Sequence, residues 1–206
     1  MSKNVLRNLM TVLFIAIALP KVNAQVHVGD LIYGDNSVIG SGEAVGVVFY
    51  VDATKQHGWA VALNDLGSLS WGPNYVSTPL PDRKNLQGAI ADINGYGNTE
   101  KILAISNTPE GPHYPAFDSL DFSNGWYLPA VGQLKRLYAN LDKVNASITA
   151  AGGTTIATDR DEYWSSTEYS LSSSWFMDPE GKFHCKDATY NGTKDGRRLV
   201  RCVRSF

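Results

Sequence analysis

The chain has little of what covalent or metal chemistry needs. It holds two cysteines and four histidines in 206 residues. The histidines, His27, His57, His113 and His184, are scattered and show no metal-ligand spacing. There is no Gly-x-Ser-x-Gly elbow, no His-Glu-x-x-His and no phosphate-cradling glycine-rich loop. Acidic and asparagine clusters that could surround a calcium ion are also missing. Asp159, Asp161 and Glu162 lie close in sequence, but they read as a solvated loop, and no full oxygen-ligand set can be assembled. Neither a metal nor a cofactor is therefore expected.

Long apolar runs are absent except at the start. Lys3 and Arg7 precede an apolar stretch from Met10 to Leu19, and Val22-Asn23-Ala24 places small residues at the positions a signal peptidase reads. That stretch is shorter than the roughly 20 apolar residues of a membrane span. Residues 1–24 are read as a signal peptide and residues 25–206 as a single domain. The chain is expected to be exported, to the periplasm, the cell surface or the medium, without a membrane span.

Excess positive charge is absent as well. The 18 basic residues fall to 15 when Lys3, Arg7 and Lys21 leave with the leader, against 20 acidic residues. Nucleic-acid binding is not expected at that balance. The basic residues are uneven, however. Lys182, Lys186, Lys194, Arg197, Arg198, Arg201 and Arg204 fall in the last 25 positions, opposed only by Asp187 and Asp195. Two readings stay open for them: an attraction for an anionic ligand, or arginines that solvate a sheet edge.

What the chain does have is pattern. Leu31–Tyr33, Val45–Val51 and Gly58–Leu63 are apolar runs of strand length, with a polar turn at Asp52–His57. Residues 64–82 read as a long loop anchored by Trp71 and Tyr75. Asp82 is expected to cap a helix to about Ile93, stopped by Asn94-Gly95-Tyr96-Gly97. Asn98 or Thr99 would cap a second helix through Ile105, and Thr108–Asn124 reads as loop. Val131, Leu134, Leu137, Tyr138 and Leu141 share helical spacing after Pro129. A further helix follows to Ala151. The last third returns to strands, with a turn at Asp178-Pro179-Glu180-Gly181. This order predicts an α+β domain of small antiparallel sheets with two or more helices in the middle.

Cys185 and Cys202 are an even count in an exported chain, which favours a disulfide. If residues 182–187 and 198–204 pair as neighbours, the bridge closes a loop of roughly 17 residues, worth about 3 kcal/mol by chain entropy. Two buried thiols, or one reactive thiol with an activating cation, are the alternatives.

Several segments together resemble one known family. Gly125-Trp126-Tyr127-Leu128-Pro129 before a helix, Tyr163-Trp164-Ser165-Ser166-Thr167-Glu168, Trp175 and Val200-Arg201-Cys202-Val203-Arg204 are similar to Lcl-type C-terminal domains. Gly46–Asp52 and Gly58–Leu63 also look like that family's first strands, so the resemblance covers about residues 43–206. It implies a C-type-lectin-like fold and binding or adhesion at a bacterial cell surface, to a glycan or a surface protein. It does not imply one ligand, because function lives in the site. Trp126, Pro129, Trp164 and Trp175 are expected to fill the core. Ligand contacts are sought on and beside the last hairpin, at Glu168, Tyr169, Ser172, Ser173, His184, Lys186, Asp187, Tyr190 and Asn191. No catalytic residue is assigned. An enzyme on a formylglycine-generating-enzyme-like scaffold using Cys185 or Cys202 is one alternative. A structural subunit of a surface assembly is another.

Overall fold

The computed structural model describes residues 25–38, 40, 42–106, 108–156, 161–185 and 192–206. The leader at 1–24, Asp159 and the candidates Lys186, Asp187, Tyr190 and Asn191 lie outside these residues.

Among the described residues nine strands form two sheets, with five α-helices between the fourth and fifth strands. The first sheet has the order β1 (Leu31–Tyr33), β2 (Ala44–Val51), β3 (Gly58–Ala62), β9 (Val203–Ser205). The second has the order β4 (Gly67–Ser70), β8 (Arg197–Val200), β5 (Tyr163–Ser170), β6 (Ser173–Met177), β7 (Phe183–His184). The chain is thus α+β, as expected. The sheets are not both antiparallel, because β5 and β8 run parallel where Tyr163 meets Leu199.

The runs of β-branched and aromatic residues in β2 and β3 bury Val47, Val48, Phe49, Ala60 and Val61 completely. The helix α4 (Val131–Tyr138) lays Leu134 and Leu137 on that layer, and α5 (Leu141–Ala150) adds Val144 and Ile148. A second cluster joins Trp71, Ile102, Tyr114, Phe117, Leu128, Trp164, Phe176 and Val200 between the second sheet and the helices α2 (Gly95–Ser106) and α3 (Pro115–Asp118). Trp164 and Trp175 are core residues, as is Pro129, while Trp126 is half-buried. Among the described residues no helix is long and apolar enough to cross a membrane.

Four local readings change. The helix α1 spans Leu86–Ala91, and its cap is Asn85, whose side chain accepts from Gly88 N–H at 2.8 Å, not Asp82. The segment Asn94–Gly97 starts α2 instead of ending a helix. Asn94 Oδ1 accepts from Gly97 N–H, and Gly95 N–H donates to Gln133 Oε1. Residues 67–70 form a strand, and α3 with a short 3-10 turn at Phe122–Asn124 interrupts the Thr108–Asn124 loop. The C-terminal strand is split. β8 and β9 belong to different sheets, and Arg201 and Cys202 make the crossing. Arg201 is 1% exposed there, with Asp65 at 2.6 Å and the Ala62 and Thr154 carbonyls as acceptors.

The expected disulfide does not form. Cys185 and Cys202 are not joined. The strand order explains it: β7 and β8 are separated by β5 and β6. Three inter-strand steps are roughly 14 Å, well beyond the reach of a disulfide. Burial pushes the Cys202 thiol up to about 12. Iodoacetamide at about pH 8 should therefore leave Cys202 unmodified in the folded protein. Rapid alkylation, or a linked Cys185–Cys202 peptide pair in the non-reduced digest, would contradict this arrangement.

Candidate functional site

Three segments meet at one end of the second sheet: the loop 71–80, the β5–β6 turn at Leu171-Ser172, and the turn at 192–196. Backbone and side-chain bonds tie them. Tyr75 N–H donates to Leu171 C=O at 3.1 Å, and Arg83 N–H to Glu168 C=O at 3.0 Å. Lys194 N–H meets both Ser172 C=O at 3.0 Å and Asn74 Oδ1 at 3.1 Å. Ser173 bridges to Thr193.

Beneath this rim lies a buried ion pair. Lys194 Nζ bonds Glu168 Oε1, with side chains 0% and 3% exposed. Thr78 donates its hydroxyl to the other oxygen of Glu168. The ammonium also sits 4.8 Å from the centre of the Trp71 ring. Burial lowers the Lys194 pKa, against the opposing hydrogen bond and charge of Glu168. Buried charges of this kind are tolerated only when paired and hydrogen-bonded. The pair therefore holds the loop to the sheet in one arrangement.

Above it the rim exposes apolar groups. Tyr75 is 80% exposed and Leu171 49%. Tyr75 also has φ +59°, a left-handed conformation that costs a bulky residue energy. The Asn74 side chain reaches both Lys194 N–H and the Asp195 carboxyl. Hydrogen bonds from Thr193 and Asn74 hold the Asp195 carboxyl below its usual range, against slight burial.

The sequence candidates are divided by this geometry. Ser172 is on the rim. Glu168 is under it, 3% exposed and paired with Lys194. Tyr169 faces the opposite side of β5, where its ring meets Trp175 edge-on at 5.8 Å in a cluster with Ala89, Val131 and Cys185. Ser173 is buried. His184 pairs with Phe176, four residues along from Ser172 and so roughly 14 Å from the rim. Its ring stacks on Phe176, and Nε2 lies 2.8 Å from Asp178 Oδ2. The basic cluster is also used internally. Arg198 pairs with Glu162, Arg201 with Asp65, Lys194 with Glu168, and Lys182 with Glu180. Lys194, Arg198 and Arg201 are buried in these pairs and do not form an anion-binding patch, whereas Lys182 and Glu180 meet on the exposed surface. Leu171 and Asn74 were missed, because only the fold brings residues 74–75 beside 171–172.

His184 instead supports the 178–181 turn. Burial would raise the Asp178 pKa, but hydrogen bonds from His184 and from Lys182 N–H hold it below the ordinary range. A carboxyl depressed in the folded state stabilises fully above its unfolded value, near 4, and loses that contribution as pH falls through the folded value. Wild type should therefore melt above Asp178→Asn at about pH 6, with the gap closing as the pH falls below the ordinary carboxylate value of about 4. A gap that widens in acid would contradict this role.

No protein-family model matches the sequence. No curated protein matches it either. Among solved structures, the fold is similar to that of a fimbrial protein from Bacteroides ovatus ATCC 8483, with TM-score 0.66 and 18% identity over 88% of this chain. The chain spans about half of that protein, 49% of its length. At this identity the likeness is one of fold alone.

Proposed function

We propose that this chain is an exported, surface-displayed binding module of the adhesin type. In this reading its scaffold is C-type-lectin-like, of the Lcl-type kind, and its ligand is a glycan or a surface protein. Contact is made through the rim of Tyr75, Leu171 and Ser172. The observation that carries the reading is Tyr75, a large side chain held out to solvent on a left-handed backbone by a loop that a buried ion pair fixes. Such a frame loses little entropy on binding. The high thiol pKa of Cys202 favours binding over thiol chemistry.

A second reading is a subunit of a surface assembly. The fold likeness to a longer fimbrial protein, of which this chain covers 49%, favours it. Both readings are tested by probing an array of glycans and purified bacterial and host surface proteins with the mature chain. Saturable binding to one class, with the bound molecule recovered unchanged, is expected. Chemical conversion of the bound molecule would overturn the proposal.

A further inference from the structure

A second surface lies on the outer face of α4. Gly132, Lys135, Arg136 and Ala139 follow one another at i, i+3, i+4 and i+7, which places them on one helix face. Ile90 from α1 and Ile93 from its exit line the other side. Together they form a cleft of about 310 Å³. Gly132 is needed for this closeness, since a Cβ there would fall 2.4 Å from Ile90 C=O and 2.8 Å from Ile93 Cγ2. Ile93 is 45% exposed, so the apolar wall faces solvent.

The polar side of the cleft is unmatched. The Arg136 guanidinium lies 4.6 Å from the Tyr50 ring centre and 4.9 Å from that of Trp59. The two rings are themselves 4.6 Å apart, on paired strands β2 and β3. This stacking fixes the guanidinium, yet its Nη1 is buried without a hydrogen-bond acceptor. Among the described residues no carboxylate lies within ion-pair distance of Arg136 or Lys135. Arg136 as a whole is half-buried, so it is the remaining N–H groups of its guanidinium, not the covered Nη1, that a ligand meets, and a planar guanidinium is suited to a two-point grip on a carboxylate.

We propose that the α1–α4 cleft is a docking site for a peptide segment of a partner protein, one that carries aliphatic side chains beside a carboxylate. The aliphatic groups cover Ile90, Ile93 and Ala139, and the carboxylate accepts from Arg136, with Lys135 adding charge. The occupant follows from complementarity: an apolar wall next to an unpaired cation selects an acidic, aliphatic segment. The proposal does not depend on the rim, so the two fail or succeed separately.

The test is NMR titration of the mature chain with acetyl-Leu-Leu-Asp-amide and, in parallel, acetyl-Leu-Leu-Asn-amide. The aspartyl peptide should shift the signals of Ile90, Ile93, Ala139 and the Arg136 side chain, and bind at least tenfold tighter than the asparaginyl peptide. Arg136→Gln should remove that preference, and Ile93→Lys should weaken both peptides. Should Arg136→Gln fail to fold, the two-peptide comparison on the wild-type chain decides alone. Equal binding of the two peptides, shifts confined to other surfaces, or no binding would overturn the proposal. So would a sulfated oligosaccharide that shifts these signals when the peptides do not.

Discussion

Lys194→Ala is expected to destabilise the domain by about 3–5 kcal/mol, among the largest effects of any single side chain. The substitution leaves Glu168 buried with its charge uncompensated, held among the described residues only by Thr78. It also removes the ammonium from the face of Trp71. The cost comes from stranding a charge, not from losing a favourable bond. Replacing both partners, as Lys194→Met with Glu168→Gln, should therefore be much milder than Lys194→Ala. Urea unfolding followed by tryptophan fluorescence measures both. A loss under about 1 kcal/mol for Lys194→Ala would show that the site admits water and that the rim is not pinned from below.

Trp164→Ala is expected to cost a similar amount, about 3–5 kcal/mol, for a different reason. The ring is fully buried and packs edge-to-face on Phe176 at 5.9 Å. Its indole N–H donates to Leu69 C=O at 2.9 Å, and the Arg198 guanidinium lies 4.3 Å from its ring centre. The alanine variant therefore opens a cavity, leaves the Leu69 carbonyl without its indole donor and removes one of the two rings on which Arg198 stacks. Trp164→Phe, which keeps most of the volume, should lose less. A Trp164→Ala variant that melts like wild type but fails to bind ligand would move this residue from the core to the binding site.

The sequence showed the elements whose side chains repeat with a clear period. Val45–Val51 and Gly58–Leu63 are apolar enough to announce buried strands, and the spacing from Val131 to Tyr138 announces α4. β4 was not legible, because Gly67-Ser68-Leu69-Ser70 has no apolar run and becomes a strand only by pairing with β8. Asn94–Gly97 misled for a chemical reason. Asparagine and glycine suit both ends of a helix, and here the side chain of Asn94 caps the start while Gly95 lets Gln133 and the Leu128 carbonyl approach. The disulfide failed on topology: Cys185 and Cys202 are close in sequence, but two other strands separate them.

The candidate site was half legible. The hairpin after Trp164 was expected, and so was an anchoring role for Trp71. Strand alternation puts Glu168 and Tyr169 on opposite faces, but the sequence could not show which face covers the Lys194 site. Nor could it show that Lys194, read as one of many exposed cations, is buried against Glu168. Tyr75 was read as an anchor, and the fold exposes it instead. Each miss concerns a contact between residues far apart in the chain, which no local pattern encodes.

The central claim is that the rim of Tyr75 and Leu171 carries binding. The most direct measurement is the affinity of the Tyr75→Ala, Leu171→Ser double variant for whichever array ligand binds wild type, with thermal melting alongside. Both side chains are exposed, so the melting temperature should stay within a few degrees of wild type. The affinity should fall at least tenfold, a loss of about 1.4 kcal/mol. Unchanged affinity in a folded double variant would contradict the claim and place binding on another surface.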